Sequence, residues 1–363
     1  MSHLTACAPA ARFPAAQTAH KTAWYCGWLG HRNLGDEASY LAIRDAFRPT
    51  RLVHPRSRFS QAFRKVGLAR KHDLVLVGGG TQIGETGFRN PAVRAMSTCA
   101  NCVVFGTGVE DPTFWPSRDP GRYDLDAWKP ILERCAYIGV RGPRSQRYLR
   151  QVGIESEVIG DPACMFVRPE VRHPIAKRRL GLNLGSGSHG MFSSDESVFE
   201  SLLGFARKML DDGWDITPYV VFPGDLPFAG EFARRIGLPQ SNIRCFYNNP
   251  ADFMNSVREE AVFVGFKLHA VVLAYCARVP SLMIEYRPKC RDFMESIGAE
   301  DFIVRADQLT VDGLLAKVQE LHTRSAELIK CTAAQLEYFR DKQRATARRL
   351  VSGNCAAIRP LAG

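Results

Sequence analysis

Six segments of this chain carry residue types that do chemistry, and each follows an apolar, strand-like run. Gly265-Phe266-Lys267-Leu268-His269-Ala270 sets a lysine and a histidine two apart where a strand pattern gives way to a helix pattern. A cation and an imidazole there share one helix N-terminus, a place that binds anions. A structural histidine is the alternative. Pro280 to Lys289 is a buried-strand pattern ending in a polar, basic loop, so Lys289 offers a further cation. Val140-Arg141-Gly142-Pro143-Arg144-Ser145 puts Arg141 at a strand end, projecting towards a cleft, where a guanidinium can grip a carboxylate or phosphate with two bonds.

The other three segments are rich in glycine. Gly27 to Glu37 follows a strand and opens a helix, with Asp36 and Glu37 in its first turn. Its spacing is neither G-x-G-x-x-G nor a Walker loop, which argues against a dinucleotide or a nucleoside triphosphate. Asp36 and Glu37 could accept a proton from a hydroxyl. They could equally serve the positive end of the helix dipole. Gly78-Gly79-Gly80-Thr81 makes a bare backbone floor at a strand's carboxyl end. Asn183-Leu184-Gly185-Ser186-Gly187-Ser188-His189-Gly190 carries backbone and hydroxyl donors suited to a phosphate or sugar. Asp161, in Gly160-Asp161-Pro162-Ala163, could hold a cationic side chain in place.

The elements that must position these residues show an α/β rhythm. Strands are expected at Thr22–Trp28, Leu52–His54, Leu74–Val77, Val103–Gly106, Tyr137–Val140 and Val158–Ile159. After a proline-bearing, basic break the rhythm restarts, with strands at Leu180–Leu184, Ile216–Val221, Ile243–Cys245, Val262–Val264 and Leu282–Ile284. The expected fold is α/β, two Rossmann-like domains facing a cleft, with a long C-terminal helical stretch. The divisions are a disordered arm at 1–21, a first domain at 22–168, a linker at 169–179, a second domain at 180–310 and a helical segment at 311–363. Leu314, Val318, Leu321 and Leu328 form that segment's buried stripe.

Composition narrows the class. With 363 residues and 45% hydrophobic content, two cores can form. The net charge of +11 and pI near 9.2 favour an anionic partner such as a phosphorylated metabolite, a lipid diphosphate or a membrane surface. No nucleic-acid motif or concentrated basic arm is present, so nucleic acid is not an expected partner. The 11 cysteines contain one C-x-x-C pair, Cys99 and Cys102, read as packing among reduced thiols, with no metal site expected. No apolar run reaches the length that spans a bilayer, and the Ala- and Pro-rich start lacks the apolar core of a signal peptide. A cytoplasmic protein is expected, with peripheral membrane contact left open.

Taken in order, these motifs resemble the polysaccharide pyruvyltransferase family. The resemblance rests on Gly30, Asn33-Leu34-Gly35-Asp36-Glu37, Asp73, Gly78-Gly79-Gly80, Val140-Arg141, Ser145, Leu149, Gly153, Asp161-Pro162-Ala163, Leu268-His269-Ala270, Pro280, Tyr286, Lys289, Phe293 and Gly298. It implies a glycosyltransferase-B-like fold, phosphoenolpyruvate as donor substrate without a further cofactor, and a glycan or lipid-linked sugar as acceptor. It implies that Arg141, His269 and Lys289 hold the donor. The family's usual arginine before Leu-His is Lys267 here, which keeps the charge and loses the two-pronged fork. On this reading Lys267, Gly185, Ser186 and Gly187 also face the donor. Asn33, Gly79, Gly80, Thr81 and His189 line the acceptor side. His269 transfers a proton or stabilises the departing phosphate, and Asp36 or Glu37 takes the hydroxyl proton. A lipid-linked acceptor would place the protein at the inner face of the membrane. A nucleotide-sugar glycosyltransferase on the same architecture is the alternative, and a non-catalytic glycan or nucleic-acid binder is a third reading.

Overall fold

The computed structural model describes residues 21–54, 72–96, 99, 101–170, 175, 177–187 and 190–352. The expected N-terminal arm except Lys21, part of the expected linker, His189 and the last eleven residues lie outside the described residues.

Two parallel sheets form the frame. The first has β1 (Thr22–Cys26), β2 (Arg51–Val53), β3 (Leu74–Gly78), β4 (Thr81–Ile83), β5 (Cys102–Val109), β6 (Cys135–Val140) and β7 (Glu157–Val158), in the order β2-β1-β3-β5-β6-β7, with β4 paired to β5. The second has β8 (Arg179–Asn183), β9 (Asp215–Val220), β10 (Arg244–Cys245), β11 (Val262–Gly265), β12 (Ser281–Glu285) and β13 (Ile303–Arg305), in the order β10-β9-β8-β11-β12-β13. Helices cover both faces, so central strands such as β3, β5 and β12 are buried along their whole length. The short strands β4 and β13 escape a periodicity reading because each is three residues long beside a turn or a single 3-10 turn.

The helices are α1 (Leu34–Ala46), α2 (Thr86–Met96), α3 (Lys129–Leu132), α4 (Pro143–Gln151), α5 (Asp195–Asp211), α6 (Leu226–Arg235), α7 (Pro250–Val257), α8 (Leu268–Cys276), α9 (Pro288–Ser296), α10 (Val311–Thr323) and α11 (Ser325–Val351). The expected helical stretch after Val311 consists of two helices, broken at Arg324, whose ψ of 10° leaves the helical range. Leu314, Val318 and Leu321 of α10 and Leu328 of α11 are buried in the core of the second sheet. The far end of α11 belongs to the first sheet, where Ala347, Leu350 and Val351 pack with Ala42, Phe47 and Phe105. Cys99 and Cys102 are buried at the approach to β5, where the Cys99 thiol meets the Asn101 carbonyl.

The return of α11 ties a helix to a loop that matters below. The fully buried Gln343 amide donates to the carbonyls of Ile159 (2.7 Å) and Asp161 (2.9 Å). Gln343→Ala leaves both carbonyls buried without these donors. It is expected to lower stability by about 1–3 kcal/mol, read as a lower denaturant midpoint with an unchanged slope.

Candidate functional site

In each sheet the strand order reverses at one point. The reversals lie between β1 and β3 and between β8 and β11. Loops leaving the carboxyl ends of strands at such a point diverge and leave a crevice. The four loops here are Gly27–Asn33, Gly79–Gly80, Leu184–Gly187 and Phe266–Lys267. The two crevices face each other, since the Leu34 amide donates to the Val221 carbonyl across the domains at 3.0 Å.

The first loop is shaped by its own polar groups. Asn33 caps α1, its Oδ1 accepting from the Gly35 amide at 3.1 Å. Glu37 Oε1 accepts from the Gly30 amide at 2.9 Å. Glu37 is therefore engaged in closing its loop. Gly35 is required by a close approach: a Cβ there would lie 1.9 Å from Nδ1 of His269. At Gly80, φ is +61° and a Cβ would stand 3.5 Å from Asp36 Oδ1, so the Asp36 carboxylate overhangs the glycine turn. Gly79 lies against Ser39 instead.

His269 enters from the first turn of α8. Its Nε2 is 3.5 Å from Oδ2 of Asp161, which is fully buried and also caps the Ala163 amide. Burial alone would raise the Asp161 carboxyl. His269, Arg141 and the Ala163 amide outweigh it and hold the group below the usual carboxylate range. An ionised carboxylate thus stands behind the imidazole.

Two further groups are tuned towards neutrality. Burial pushes Asp36 up to about 6, against the pull of His269 and Lys289 and with a push from Glu37 and Asp161. Burial, then the neighbouring Arg287 and Arg141, bring Lys289 down to about 8, while Cys290 and Glu110 oppose. Burial likewise raises Glu110, and Lys289 pulls it back. The site therefore holds an acid and a base whose protonation changes on either side of neutral pH.

Several expected donor ligands are turned inward. Arg141 does not project into the cleft. Its side chain has no exposed surface; Nη1 donates to the Gly80 carbonyl (3.3 Å), Nη2 to Thr81 Oγ1 (3.1 Å), and Nε lies 3.4 Å from Asp292. Thr81 is thereby a prop for Arg141. Lys267 Nζ donates to the Ser186 carbonyl (2.8 Å) and pairs with Asp225 (3.1 Å). The amides of Ser186 and Gly187 donate to Asp225 and Asp195. The Gly185-Ser186-Gly187 loop, expected to take the donor's phosphate, is thus filled by the protein's own carboxylates, which would repel one. The carboxylates Asp195, Asp225, Asp292 and Glu110 have no motif of their own in the sequence. Arg287 could have been singled out from the basic run that holds Lys289.

Among the described residues no group of three or more His, Cys, Asp or Glu is placed to hold a metal ion, and no helix is long and apolar enough to cross a membrane. A cavity of about 290 Å³ adjoins the first loop, lined by Leu29, Gly30, Tyr40, Arg51, Leu52, Val53 and His54. A larger one of about 500 Å³ opens at the amino ends of β8 and β9, near Arg179 and Asp215, away from this chemistry.

The raised Asp36 has a stability consequence. Its folded value near 6 exceeds its ordinary 3.8, so the fold favours the protonated form. Stability from this group is greatest below about pH 4 and is lost as pH rises through about 6. Asp36→Asn should match wild type at pH 4 and exceed it above pH 6, by at most about 3 kcal/mol, in denaturant titrations at the two pH values.

Comparison with known proteins agrees with this geometry. A search of the curated proteins finds no match. Solved structures share the architecture at low identity. A UDP-N-acetylglucosamine 2-epimerase superposes with a TM-score of 0.59 at 12% identity, over 95% of this chain and 98% of that one. A glycosyltransferase from Rickettsia africae gives 0.55 at 10%, over 94% and 100%. The UDP-GlcNAc 2-epimerase of Methanocaldococcus jannaschii gives 0.50 at 13%, over 82% and 91%. These likenesses establish the glycosyltransferase-B fold. The family model for polysaccharide pyruvyl transferase matches residues 32–288, a span that runs from the capping loop of α1 to the start of α9, and the chain belongs to that family.

Proposed function

We propose that this protein transfers the pyruvyl unit of phosphoenolpyruvate to two hydroxyls of a sugar, forming a ketal and releasing phosphate. The observation that carries the reading is His269, backed by ionised Asp161, in the same field as Asp36 and Lys289. Phosphoenolpyruvate needs cations for its carboxylate and phosphate, an acid for its methylene carbon and a base for the incoming hydroxyl. Lys289 supplies a cation in the cleft, and Arg287, whose Nε donates to the Gly190 carbonyl, adds positive charge beside it. Arg141 acts from beneath, as a positioning residue, through Gly80 and Thr81.

His269 gives a proton to the methylene carbon, leaving positive charge on the adjacent carbon. One sugar hydroxyl attacks that carbon and loses its proton to Asp36. The bond from the carbon to the phosphate oxygen then breaks, and the phosphate leaves with the proton that Asp36 had taken. The second hydroxyl closes the ketal and returns its proton to His269, so both groups end as they began and the protons balance. Lys289 opposes the charge of the departing phosphate. The acceptor is a glycan or lipid-linked sugar, and the positive net charge suits an anionic carrier or membrane surface. The nucleotide-sugar alternative is disfavoured because Asp195 and Asp225 already occupy the loop a diphosphate would need.

Thermal unfolding with ligand tests the donor. At one hundred times its Kd, phosphoenolpyruvate should add about 2.7 kcal/mol of stability, and His269→Ala and Lys289→Ala should lose the upward shift. A shift with UDP-sugars and none with phosphoenolpyruvate would favour the alternative. Acceptor-dependent phosphate release gives the second test. Its kcat/KM should rise through pH of about 6 as Asp36 ionises and fall through about 8 as Lys289 loses its proton. Asp36→Asn should flatten the acid limb and Lys289→Gln the alkaline one.

A further inference from the structure

We infer that Trp28 is a stacking platform for a hexopyranose ring of the acceptor, an inference that rests on the proposed reaction for its placement. Among the described residues the exposed large hydrophobic side chains are Trp28, Val93, Leu226 and Tyr338. Trp28 stands in the loop that leads into α1 and Asp36, and the residue is 39% exposed. An indole kept in contact with water beside a reaction site has an energetic cost that a ligand can recover.

The ring is held rather than loose. It stacks on His31 at 4.3 Å between centroids and 18° between planes. The backbone around it is constrained, with φ of +82° at Gly30 and +59° at Arg32. An arginine in the left-handed region is costly and persists where the surroundings impose it. Here the Arg32 guanidinium lies 5.0 Å from the ring centre of Tyr247 in the second domain. The Trp28 ring is itself 6.2 Å from Phe222, and Phe222 lies 6.0 Å from Lys267 Nζ, two residues before His269. The platform therefore belongs to the cleft, one aromatic ring away from the Lys267 ammonium.

Its chemistry selects the occupant. Phosphoenolpyruvate is small and anionic, with no apolar face to lay on an indole. A hexopyranose has one face of C–H groups that pack on an aromatic face and a rim of hydroxyls that do not. A sugar seated on Trp28 would present its rim towards α1, where Asp36 is the base.

A printed array of oligosaccharides ending in galactose, glucose, mannose or N-acetylhexosamine, probed with the labelled full chain, tests this. Wild type should be captured by a subset. Trp28→Ala should lose capture about tenfold and Trp28→Tyr should keep most of it. The phosphoenolpyruvate thermal shift should be the same in all three. Equal capture by Trp28→Ala, or no capture of wild type by any sugar, overturns the platform. Loss of the phosphoenolpyruvate shift in Trp28→Ala also overturns it, because Trp28 would then be a prop between the domains. If wild type shows no phosphoenolpyruvate shift while capture still depends on Trp28, the donor reading fails and the platform stands.

Discussion

Asp292 joins the two domains with one buried carboxylate. It sits in α9 of the second domain and accepts from the amides of Arg144 and Ser145 (3.0 and 3.1 Å) and from the Ser145 hydroxyl (2.7 Å). Those groups open α4 of the first domain, so the cap of one helix is supplied by the other domain. The same carboxylate lies 3.4 Å from Arg141. The packing leaves no slack: a Cβ on Gly142 would stand 2.2 Å from the Asp292 carbonyl. One turn along α9, Glu295 takes both Nε and Nη2 of Arg144. Removing one member of such a buried pair leaves the other charge uncompensated, which costs about 3–5 kcal/mol in comparable cases.

The chemistry hangs from that joint. Lys289 precedes Asp292 in the same helix, so docking α9 onto α4 carries the lysine up to Glu110 and Arg141 of the first domain. Arg141, pinned by Asp292, fixes the glycine turn at Gly80 and Thr81 that the Asp36 carboxylate overhangs. His269 approaches from the second domain and meets Asp161 of the first. Every titrating group in the site thus feels charges from both domains. A change in their separation would alter the protonation of Asp36 and Lys289 together, because low-dielectric surroundings strengthen each pairing.

His269, Lys289, Asp36 and Asp161 were legible as chemistry because each stands at the end of an apolar run, and in a parallel sheet such ends line a crevice. Arg141 and Lys267 were legible by the same rule, and their charge was read correctly. Their direction was not. Nothing near Arg141 in the chain signals a carboxylate 151 positions away, and nothing near Lys267 signals Asp225. The glycine loop at Gly185 shows the same limit. Its amides looked ready for a phosphate, but Asp195 and Asp225 fill them.

The sequence by itself determined the α/β alternation, most strand positions, the glycosyltransferase-B architecture through its family likeness, and the types of residue at the crevice. These follow from local periodicity and from the rule that apolar faces must be covered. The tertiary structure decided which polar groups find partners at home and which stay turned to the cleft. It also placed α11 back across the first sheet and moved Asp36 and Lys289 towards neutral pH. Those outcomes depend on burial and on distances between residues far apart in the chain, and both exist only once the two domains have closed on each other.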